Sequence, residues 1–345
     1  MAREVHSVPN QVNFSRRTFM LMPLAFAACK PGQDVLQLSG QTMGTGYNVV
    51  VSNPSVDEAY VQSAIDAALA QVNDAMSNWQ DTSEISRFNA TDAPTVMSAE
   101  LAEVMEAAEA VHIASEGTFD TTMGPLIEVW GFGAPGKTTL PSEAAISAAK
   151  ARSGHANTLR IGAGAMEKRQ ADAQVYLAAI GKGYGADHIG RALEALGLTD
   201  YMVEIGGDLY AAGRNPDGMP WQIGVETPDA RDRSVMDVVG VSGLGMASSG
   251  DYRNYYEQDG QRYSHVIDPS TGRPITHKTA SATVLAENAM LADAWATAML
   301  TLGRSRGMQI AEREGLAVLF VERDPNARDI QFKMSRSSRF EALTA

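Results

Sequence analysis

The sequence predicts an α+β fold, in which one or more mixed, largely antiparallel sheets are flanked by helices. Amphipathic helices and short strands follow one another without a strict strand–helix–strand rhythm, which disfavours a doubly wound parallel sheet. The 345 residues are 44% hydrophobic and 20% charged, which is ordinary for a globular protein with a buried core. No repeat or low-complexity tract interrupts the chain. We therefore expect an N-terminal segment, residues 1–29, followed by one folded domain, residues 30–345.

The first 29 residues have the pattern of an export signal. Arg16 and Arg17 precede a short apolar run that ends in two alanines and Cys29. A basic region, about ten apolar residues and small residues before a cut site are typical of secretion signals. The paired arginines resemble the twin-arginine type. The run is shorter than the roughly 20 apolar residues that span a bilayer.

Cys29 is the only cysteine, which excludes an internal disulfide framework. The small residues before it resemble a lipoprotein cleavage box, although Phe26 stands where leucine is usual. Three interpretations stay open: a lipid anchor at Cys29, cleavage near Cys29 without a lipid, or a buried core segment. The core segment is disfavoured because the run has no polar face. Under either export interpretation we expect a periplasmic protein. Under the lipoprotein interpretation, its contact with the membrane is a lipid anchor at Cys29.

Strand and helix patterns alternate in the first third of the chain. A strand is predicted from Tyr47 to Val51, and Ser55 with Glu58 reads as a capping box that opens a helix. That helix has apolar residues spaced three or four apart, namely Val61, Ile65, Leu69, Val72 and Met76. A second helix is predicted from Ala99 to about Ser115. Its inner face carries Leu101, Met105 and Ala108, with His112 as a core or edge histidine.

The second half is richer in strands. They are predicted at Val175 to Ile180, Tyr201 to Ile205, Trp221 to Val225, Val235 to Val241, Tyr263 to Ile267, Ser281 to Ala286 and Leu316 to Glu322. One helix is predicted from Gly185 to Leu196, ended by Gly197, and another from about Asn288 to Leu302, closed by Gly303.

The helix after Asn288 carries the strongest local anomaly. It is apolar nearly all round and should be buried, yet it contains Asp293 and Thr297, which share one face four residues apart. A buried carboxylate needs a partner. A carboxylate with a hydroxyl is a hard oxygen pair that suits Mg²⁺. The alternative is an Asp293 ion pair with a distant Arg or Lys, and a Thr297 hydroxyl bonded to its own helix.

Two glycine motifs resemble nucleotide-binding sequences. Residues 131–138 match the P-loop pattern, but Pro141 follows within one turn and a true P-loop runs straight into a helix. A turn-rich loop is the better interpretation there. Residues 181–186 form a GxGxxA after an apolar segment and before a helix, where Lys182 and a positive helix end suit a pyrophosphate. A tight strand-to-helix turn is the alternative.

A third polar cluster surrounds His265 and Asp268. Histidine titrates near neutral pH, so His265 is a candidate acid or base, and the alternative is a hairpin with polar ends. The sequence has no GxSxG elbow and no HxH or HExxH spacing, which disfavours an α/β-hydrolase and a zinc enzyme. The net charge of −13 argues against a nucleic-acid partner.

Together these segments resemble the FAD:protein FMN transferase (ApbE) family. The motifs occur in order between about residues 41 and 303. They are MGTGYNV (43–49), SEISRFN (83–89), GTFDTTMGPLIEVWGFG (117–133), IGKGYGAD (180–187), EIGGDL (204–209), SGDYR (249–253), SHVIDPSTGRP (264–274) and DAWAT (293–297). The resemblance implies an enzyme that binds FAD with Mg²⁺, splits its pyrophosphate and joins FMN to a Thr or Ser of an acceptor protein, with release of AMP.

The resemblance also implies a set of site residues. The metal ligands would be Asp293, Thr297 and the carbonyl of Ala179. The FAD contacts would be Met43, Trp79, Thr118, Phe119, Asp120, Lys182 and Ile267. His265 would activate the acceptor hydroxyl, while Lys182 and the metal held by Asp293 would neutralise the developing charge. The acceptor would be a membrane-associated respiratory or redox protein.

Two positions depart from the family pattern. Tyr176 stands where the family usually has aspartate. Ala296 stands where some members of the family have a second aspartate. Loss of both carboxylates would weaken metal or flavin binding. Two other functions therefore stay open: a Mg²⁺-dependent FAD pyrophosphatase that uses water as acceptor, and a non-catalytic exported FAD-binding protein.

Overall fold

An eight-stranded antiparallel sheet lies at the centre of the unit that Asp34–Ala345 forms. The computed structural model describes residues 34–132, 140–162, 164–229, 231, 234–324 and 331–345. Neighbouring strands in the large sheet are all antiparallel, in the order β1-β2-β6-β7-β10-β15-β16-β17. The α+β prediction is therefore confirmed. The predicted signal and Cys29 lie outside the described residues, so the boundary after residue 29 stays a prediction.

The strands are numbered in chain order. They are β1 Val35–Thr42, β2 Thr45–Ser52, β3 Thr95–Val96, β4 Leu159–Gly162, β5 Ala165–Lys168, β6 Tyr201–Ile205, β7 Asp208–Ala212, β8 Trp221–Glu226, β9 Val235–Val241, β10 Leu244–Gly250, β11 Tyr255–Gln258, β12 Gln261–Ser264, β13 Ile267–Asp268, β14 Arg273–Pro274, β15 Thr279–Ala286, β16 Ala317–Arg323 and β17 Phe332–Arg336. Strands outside the large sheet pair as β3-β5-β4, β8-β9, β11-β12 and β13-β14.

The helices are numbered in the same way. They are α1 Glu58–Met76, α2 Glu84–Ala90, α3 Ala99–Ala114, α4 Gly124–Val129, α5 Glu143–Ala151, α6 His155–Thr158, α7 Gly181–Ala195, α8 Ala289–Glu314 and α9 Ser338–Thr344. No helix in the described ranges is both long enough and apolar enough to cross a membrane.

Both faces of the sheet are covered, as the two-residue period of its strands requires. Val49 and Val51 of β2 pack in a cluster with Ile65 of α1 and Ile189 of α7. Val50, between them, belongs to the opposite cluster, which contains the β8–β9 hairpin and α9. A third cluster buries the apolar face of α8. The candidate site lies on the side of the sheet that α7 and α8 cover.

Helices α7 and α8 approach so closely at their N-termini that Gly183 has no room for a side chain. A Cβ atom there would lie 2.1 Å from the carbonyl oxygen of Ala289. Gly185 packs in a similar way, because its Cβ would lie 2.9 Å from the methyl carbon of Met43. The glycines therefore serve helix packing, and α7 begins at Gly181 instead of the predicted Gly185. The GxGxxA motif is the first turn of this helix.

The predicted strand from Val175 to Ile180 is wrong. This segment is extended and then turns into α7, and it pairs with no strand among the described residues. Asparagine side chains take the place of a ladder: Asn78 bonds to the Val175 carbonyl and the Leu177 amide, and Asn89 bonds to both backbone groups of Val175. The apolar alternation predicted the burial of Val175 and Leu177 correctly but not their hydrogen-bond partners.

Three further boundaries differ from prediction. The Ser55–Glu58 capping box does not form, because α1 begins at Glu58 with Asp57 as its N-cap and no side-chain cap bond. Gly303 does not close α8; it has φ +69°, kinks the helix, and the helix resumes to Glu314. The predicted strand from Tyr263 to Ile267 is split between β12 and β13.

Most of the P-loop-like segment, residues 133–139, lies outside the described residues. The remaining predicted strands and the helix from Ala99 are confirmed within one or two residues. Strands β1, β3, β4, β5, β7, β10, β11, β14 and β17 were not predicted.

The close approach of α7 and α8 gives a stability prediction. Gly183→Ala forces the Cβ into the backbone of Ala289, and we expect it to lower the free energy of unfolding by about 1–3 kcal/mol. Gly181→Ala is the matched control, because its Cβ would have no neighbour closer than Leu177 Cβ at 4.0 Å. It should be neutral or stabilising by up to about 1 kcal/mol. Equal urea-unfolding free energies for the two variants would contradict this packing account.

Candidate active site

Lys182 and two buried aspartates form an ion cluster where α7 meets α8. The Nζ atom of Lys182 lies 2.5 Å from Oδ2 of Asp208 and 3.3 Å from Oδ2 of Asp293. Side-chain exposure is 5% for Asp208 and 4% for Asp293, against 27% for Lys182. Helix α7 supplies the lysine, the start of β7 supplies Asp208, and α8 supplies Asp293. The ion pair with a distant lysine, which the sequence left open as the alternative interpretation of Asp293, is therefore present, and its partner is Lys182.

The electrostatics of the cluster follow from its burial. Burial, together with the neighbouring charge of Asp293, raises the pKa of Asp208 to about 7 against the pull of Lys182. Burial lowers the pKa of Lys182, but Asp208 and Asp293 outweigh it and raise that pKa above its ordinary value. Lys182 is therefore charged at neutral pH, and two carboxylates share one ammonium group. The cluster has a deficit of positive charge that a further cation would relieve.

The two N-termini are tied together by backbone amides that bond to carboxylates of the opposite helix. The amide of Gly183 on α7 donates to Oδ2 of Asp293 at 3.2 Å. The amides of Ala289 and Met290 on α8 donate to the two carboxylate oxygens of Asp187, each at 2.8 Å. Burial raises the pKa of Asp187 to about 7, although these two bonds favour its charged form.

The other two predicted metal ligands lie beside this cluster. Thr297 is one turn after Asp293 on α8, and its hydroxyl is 3.2 Å from the hydroxyl of Ser249 on β10. Ala179 lies in the turn before α7, and Lys182 reaches back to the neighbouring Ala178 carbonyl at 3.4 Å. All three predicted donors are oxygens, beside an excess of buried negative charge. The residues present therefore fit a hard divalent cation such as Mg²⁺.

The extended segment 175–180 connects two predicted flavin-contact regions to this cluster. Asn78, which holds Val175 and Leu177, immediately precedes Trp79. The amide of Tyr176 donates to the carbonyl of Thr121 at 2.8 Å, which attaches the loop that carries Thr118, Phe119 and Asp120. Residues that are distant in sequence therefore meet around the turn that leads into α7.

The side chains expected to contact flavin differ in their exposure to solvent. Trp79 is 80% exposed, so its ring is free to stack on a flat ligand. Met43 packs against Gly185 at the start of α7. Ile267 is buried in a cluster with Met123 and Leu126, next to the loop that carries Thr118.

The loop from Thr118 to Asp120 is held by its own residues. Phe119 is 1% exposed, and its backbone is held inside as well, because its amide donates to the Ser115 hydroxyl and its carbonyl lies 2.7 Å from Nδ1 of His112. Asp120 accepts hydrogen bonds from the amide and hydroxyl of Thr122 and from the amide of His155. Thr118 is half-buried. Asp120 therefore fixes the shape of this loop.

His265 is oriented by the backbone of Asn254. Its Nδ1 lies 3.0 Å from the Asn254 carbonyl, which can only accept, so Nδ1 carries the proton and Nε2 has the lone pair. Burial lowers the pKa of His265, which keeps the ring neutral near pH 7. Within the described residues, His265 makes no direct contact with Lys182 or Asp293. It lies two residues before Ile267, beside the flavin-contact loop.

Sequence reasoning missed Asp208 and Asp187 as site residues. Asp208 follows Gly206 and Gly207, both with positive φ, in the tight β6–β7 turn. A carboxylate at the start of a strand, directly after two glycines, was the signal for it. Asp187 lay in the quoted IGKGYGAD motif, but nothing in the sequence showed that α8 would begin beside it.

Tyr176 and Ala296, the two departures from the family pattern, supply no carboxylate at the positions where the family has aspartate. The Tyr176 hydroxyl lies 2.8 Å from Oε1 of Gln174 and 3.2 Å from Oε1 of Glu128, so its single hydrogen is donated to one of them at a time, and its ring packs on Gly124. Ala296 is fully buried on α8. The carboxylates present near the cluster are those of Asp208, Asp293 and Asp187.

Comparison with known proteins identifies the family of this chain. The chain matches the ApbE family over residues 43–320. It is 39% identical to the FAD:protein FMN transferase of Vibrio cholerae, over 92% of this chain and 95% of that one. It is 40% identical to the protein of that name from Haemophilus influenzae, over 94% and 95% of the two chains.

Two solved structures resemble this chain over most of its length. The flavin transferase ApbE from Vibrio cholerae superposes with a TM-score of 0.82 at 38% identity and covers 90% of this chain and 99% of that one. The apo form of the flavinyl transferase ApbE from Pseudomonas stutzeri gives 0.81 at 36% identity, over 90% and 97%. The chain therefore belongs to the ApbE family.

Proposed function

We propose that this chain transfers FMN from FAD to a Thr or Ser hydroxyl of another protein, with release of AMP, in a reaction that depends on Mg²⁺. Membership of the ApbE family and relatives named FAD:protein FMN transferase support the transfer. The observation that carries the proposed chemistry is the Lys182–Asp208–Asp293 cluster at the start of α7.

The start of α7 is suited to an anionic pyrophosphate. A helix N-terminus bears a partial positive charge, and Lys182 lies in the first turn of α7. Asp208 holds the ammonium group of Lys182 at this position. Because Asp208 and Asp293 together outweigh the charge of Lys182, a bound cation would be needed to make the local potential positive towards a pyrophosphate.

Asp293, Thr297 and the carbonyl of Ala179 are the residues that would hold Mg²⁺. When bound, the ion would supply charge neutralisation on the pyrophosphate oxygens. The exposed ring of Trp79 would stack on an aromatic ring of FAD, while Met43, Ile267 and the loop from Thr118 to Asp120 would shape the rest of the pocket.

His265 would act as the general base through the lone pair of Nε2. The acceptor oxygen forms a bond to the phosphorus of the FMN half, and its proton passes to His265. The bond from that phosphorus to the bridging oxygen breaks, and AMP leaves with the bridging oxygen. Lys182 stabilises the negative charge that develops on the phosphate oxygens.

Incubation of the protein with FAD, Mg²⁺ and a candidate acceptor tests this function. A fluorescent acceptor that survives denaturation, with one AMP released per flavin attached, supports the transferase. Free FMN and AMP in the presence of acceptor would instead indicate a pyrophosphatase. Unchanged FAD would indicate a binding protein, the alternative that Tyr176 and Ala296 favour.

Asp293→Asn removes one negative charge at constant volume and keeps an oxygen for the Gly183 amide. We expect kcat/KM for Mg²⁺-dependent FAD cleavage to fall at least about a hundredfold, because a metal contributes several kcal/mol to such a step. Asp66→Asn makes the same exchange at an exposed position of α1, so it is the matched control and should stay within about twofold. Undiminished activity of Asp293→Asn would disprove the metal assignment.

His265 gives a pH prediction. A base must be deprotonated, and burial lowers the pKa of His265, so we expect its acid limb of kcat/KM to lie below pH 6.5. His265→Ala should reduce the rate of transfer about 10²–10⁴-fold and remove this limb. An acid limb that persists unchanged in His265→Ala would assign it to another group.

We also propose that the enzyme acts in the periplasm, exported by residues 1–29 and anchored through Cys29. The basic pair, the apolar run and the small residues before the cysteine support this proposal. Cys29→Ser should therefore release the protein from the membrane fraction into the soluble periplasm, as fractionation and mass spectrometry would measure. A wild-type mature protein with an unmodified Cys29 would rule out the anchor and leave plain export.

A further inference from the structure

Helices α7 and α8 cap each other at their N-termini. Asp187, in the second turn of α7, accepts hydrogen bonds from the amides of Ala289 and Met290, the first two residues of α8. Asp293, in the second turn of α8, accepts one from the amide of Gly183 on α7. Each helix therefore supplies a buried carboxylate to the positive end of the other.

The two sides of this arrangement have different uses. Asp293 belongs to the ion cluster, whereas Asp187 touches neither Lys182 nor Asp208 in the described residues. Helix α8 also has a cap of its own, because the Asn288 side chain accepts a hydrogen bond from the amide of Leu291 at 2.8 Å. Asn288 caps α8 from within that helix, whereas Asp187 joins the start of α8 to a different helix, α7.

The position of this joint gives it control over the cluster. Asp187 follows Lys182 by five residues, and Ala289 precedes Asp293 by four. At 1.5 Å per residue, the joint lies about 6–8 Å along each helix from the ion cluster. The two helices are in close contact at Gly183, where an added Cβ atom would lie 2.1 Å from the Ala289 carbonyl oxygen. A small shift of α8 against α7 at Asp187 therefore changes the distance between Lys182 and Asp293 directly.

We propose that Asp187 is a positioning residue, which holds α8 in register with α7 so that Lys182 and Asp293 keep the spacing that metal and pyrophosphate require. This inference rests on the proposed function for its consequence, but the joint itself is a property of the protein alone. Capping of α8 alone explains Asp187 poorly, because the Asn288 side chain already caps that end of the helix.

The test compares Asp187→Asn with Asn288→Ala, both in the full mature protein at pH 8. Asparagine keeps the shape of Asp187 but turns one acceptor into a donor, so it cannot bond to both amides. Asn288→Ala removes a cap from the same end of α8 and leaves the joint intact. Hydrogen exchange without metal or FAD measures the joint at the amide of Gly183, on the opposite helix.

We expect protection of the Gly183 amide to fall about tenfold in Asp187→Asn and to stay within about twofold in Asn288→Ala. Unchanged protection in Asp187→Asn would overturn the proposal, whatever the metal does. Mg²⁺ alone should raise the Tm of wild type, and Asp187→Asn should need about tenfold more Mg²⁺ for half of that rise. An equal Mg²⁺ requirement in the two variants would also overturn it.

The two failures are distinguishable. If wild type shows no Mg²⁺-dependent rise in Tm, the proposed metal site is wrong, and the hydrogen exchange of Gly183 still decides whether Asp187 joins the helices.

Discussion

Two buried carboxylates that share one lysine are the constraint around which the candidate site is arranged. Asp208 and Asp293 would repel each other without the ammonium of Lys182, and even with it the cluster keeps an excess of negative charge. The amide of Gly183, in the first turn of α7, donates to Asp293 and offsets part of that excess. The same imbalance makes the cluster receptive to a divalent cation.

The rest of the fold brings distant parts of the chain to this point. The antiparallel sheet places the β6–β7 turn, and with it Asp208, beside helices that follow it and precede it in sequence. The segment 175–180 pairs with no strand in the described part of the chain, and its backbone bonds instead to Asn78, Asn89 and the Thr121 carbonyl. As a result, the exposed Trp79 and the loop from Thr118 to Asp120 border the turn into α7.

Sequence patterns were most informative where local physics decides the structure. The alternation in β2, β6 and β9 and the apolar face of α1 are set by burial on one side, so these elements were predicted within a few residues. Asp293 was found because a carboxylate in an apolar helix is anomalous. Val175 to Ile180 was misassigned because side chains from other elements satisfy its backbone. The starts of α1 and α7 were misplaced because capping and glycine packing depend on tertiary neighbours. Asp187 and Asp208 were missed for the same reason.

The central claim is that Asp293, Thr297 and the Ala179 carbonyl bind one divalent cation beside Lys182. Manganese substitutes for magnesium at oxygen sites and scatters X-rays anomalously, so crystals grown with Mn²⁺ and FAD test the claim directly. The account predicts an anomalous peak in contact with all three oxygens. A peak elsewhere, or none at this position with FAD bound, would contradict it.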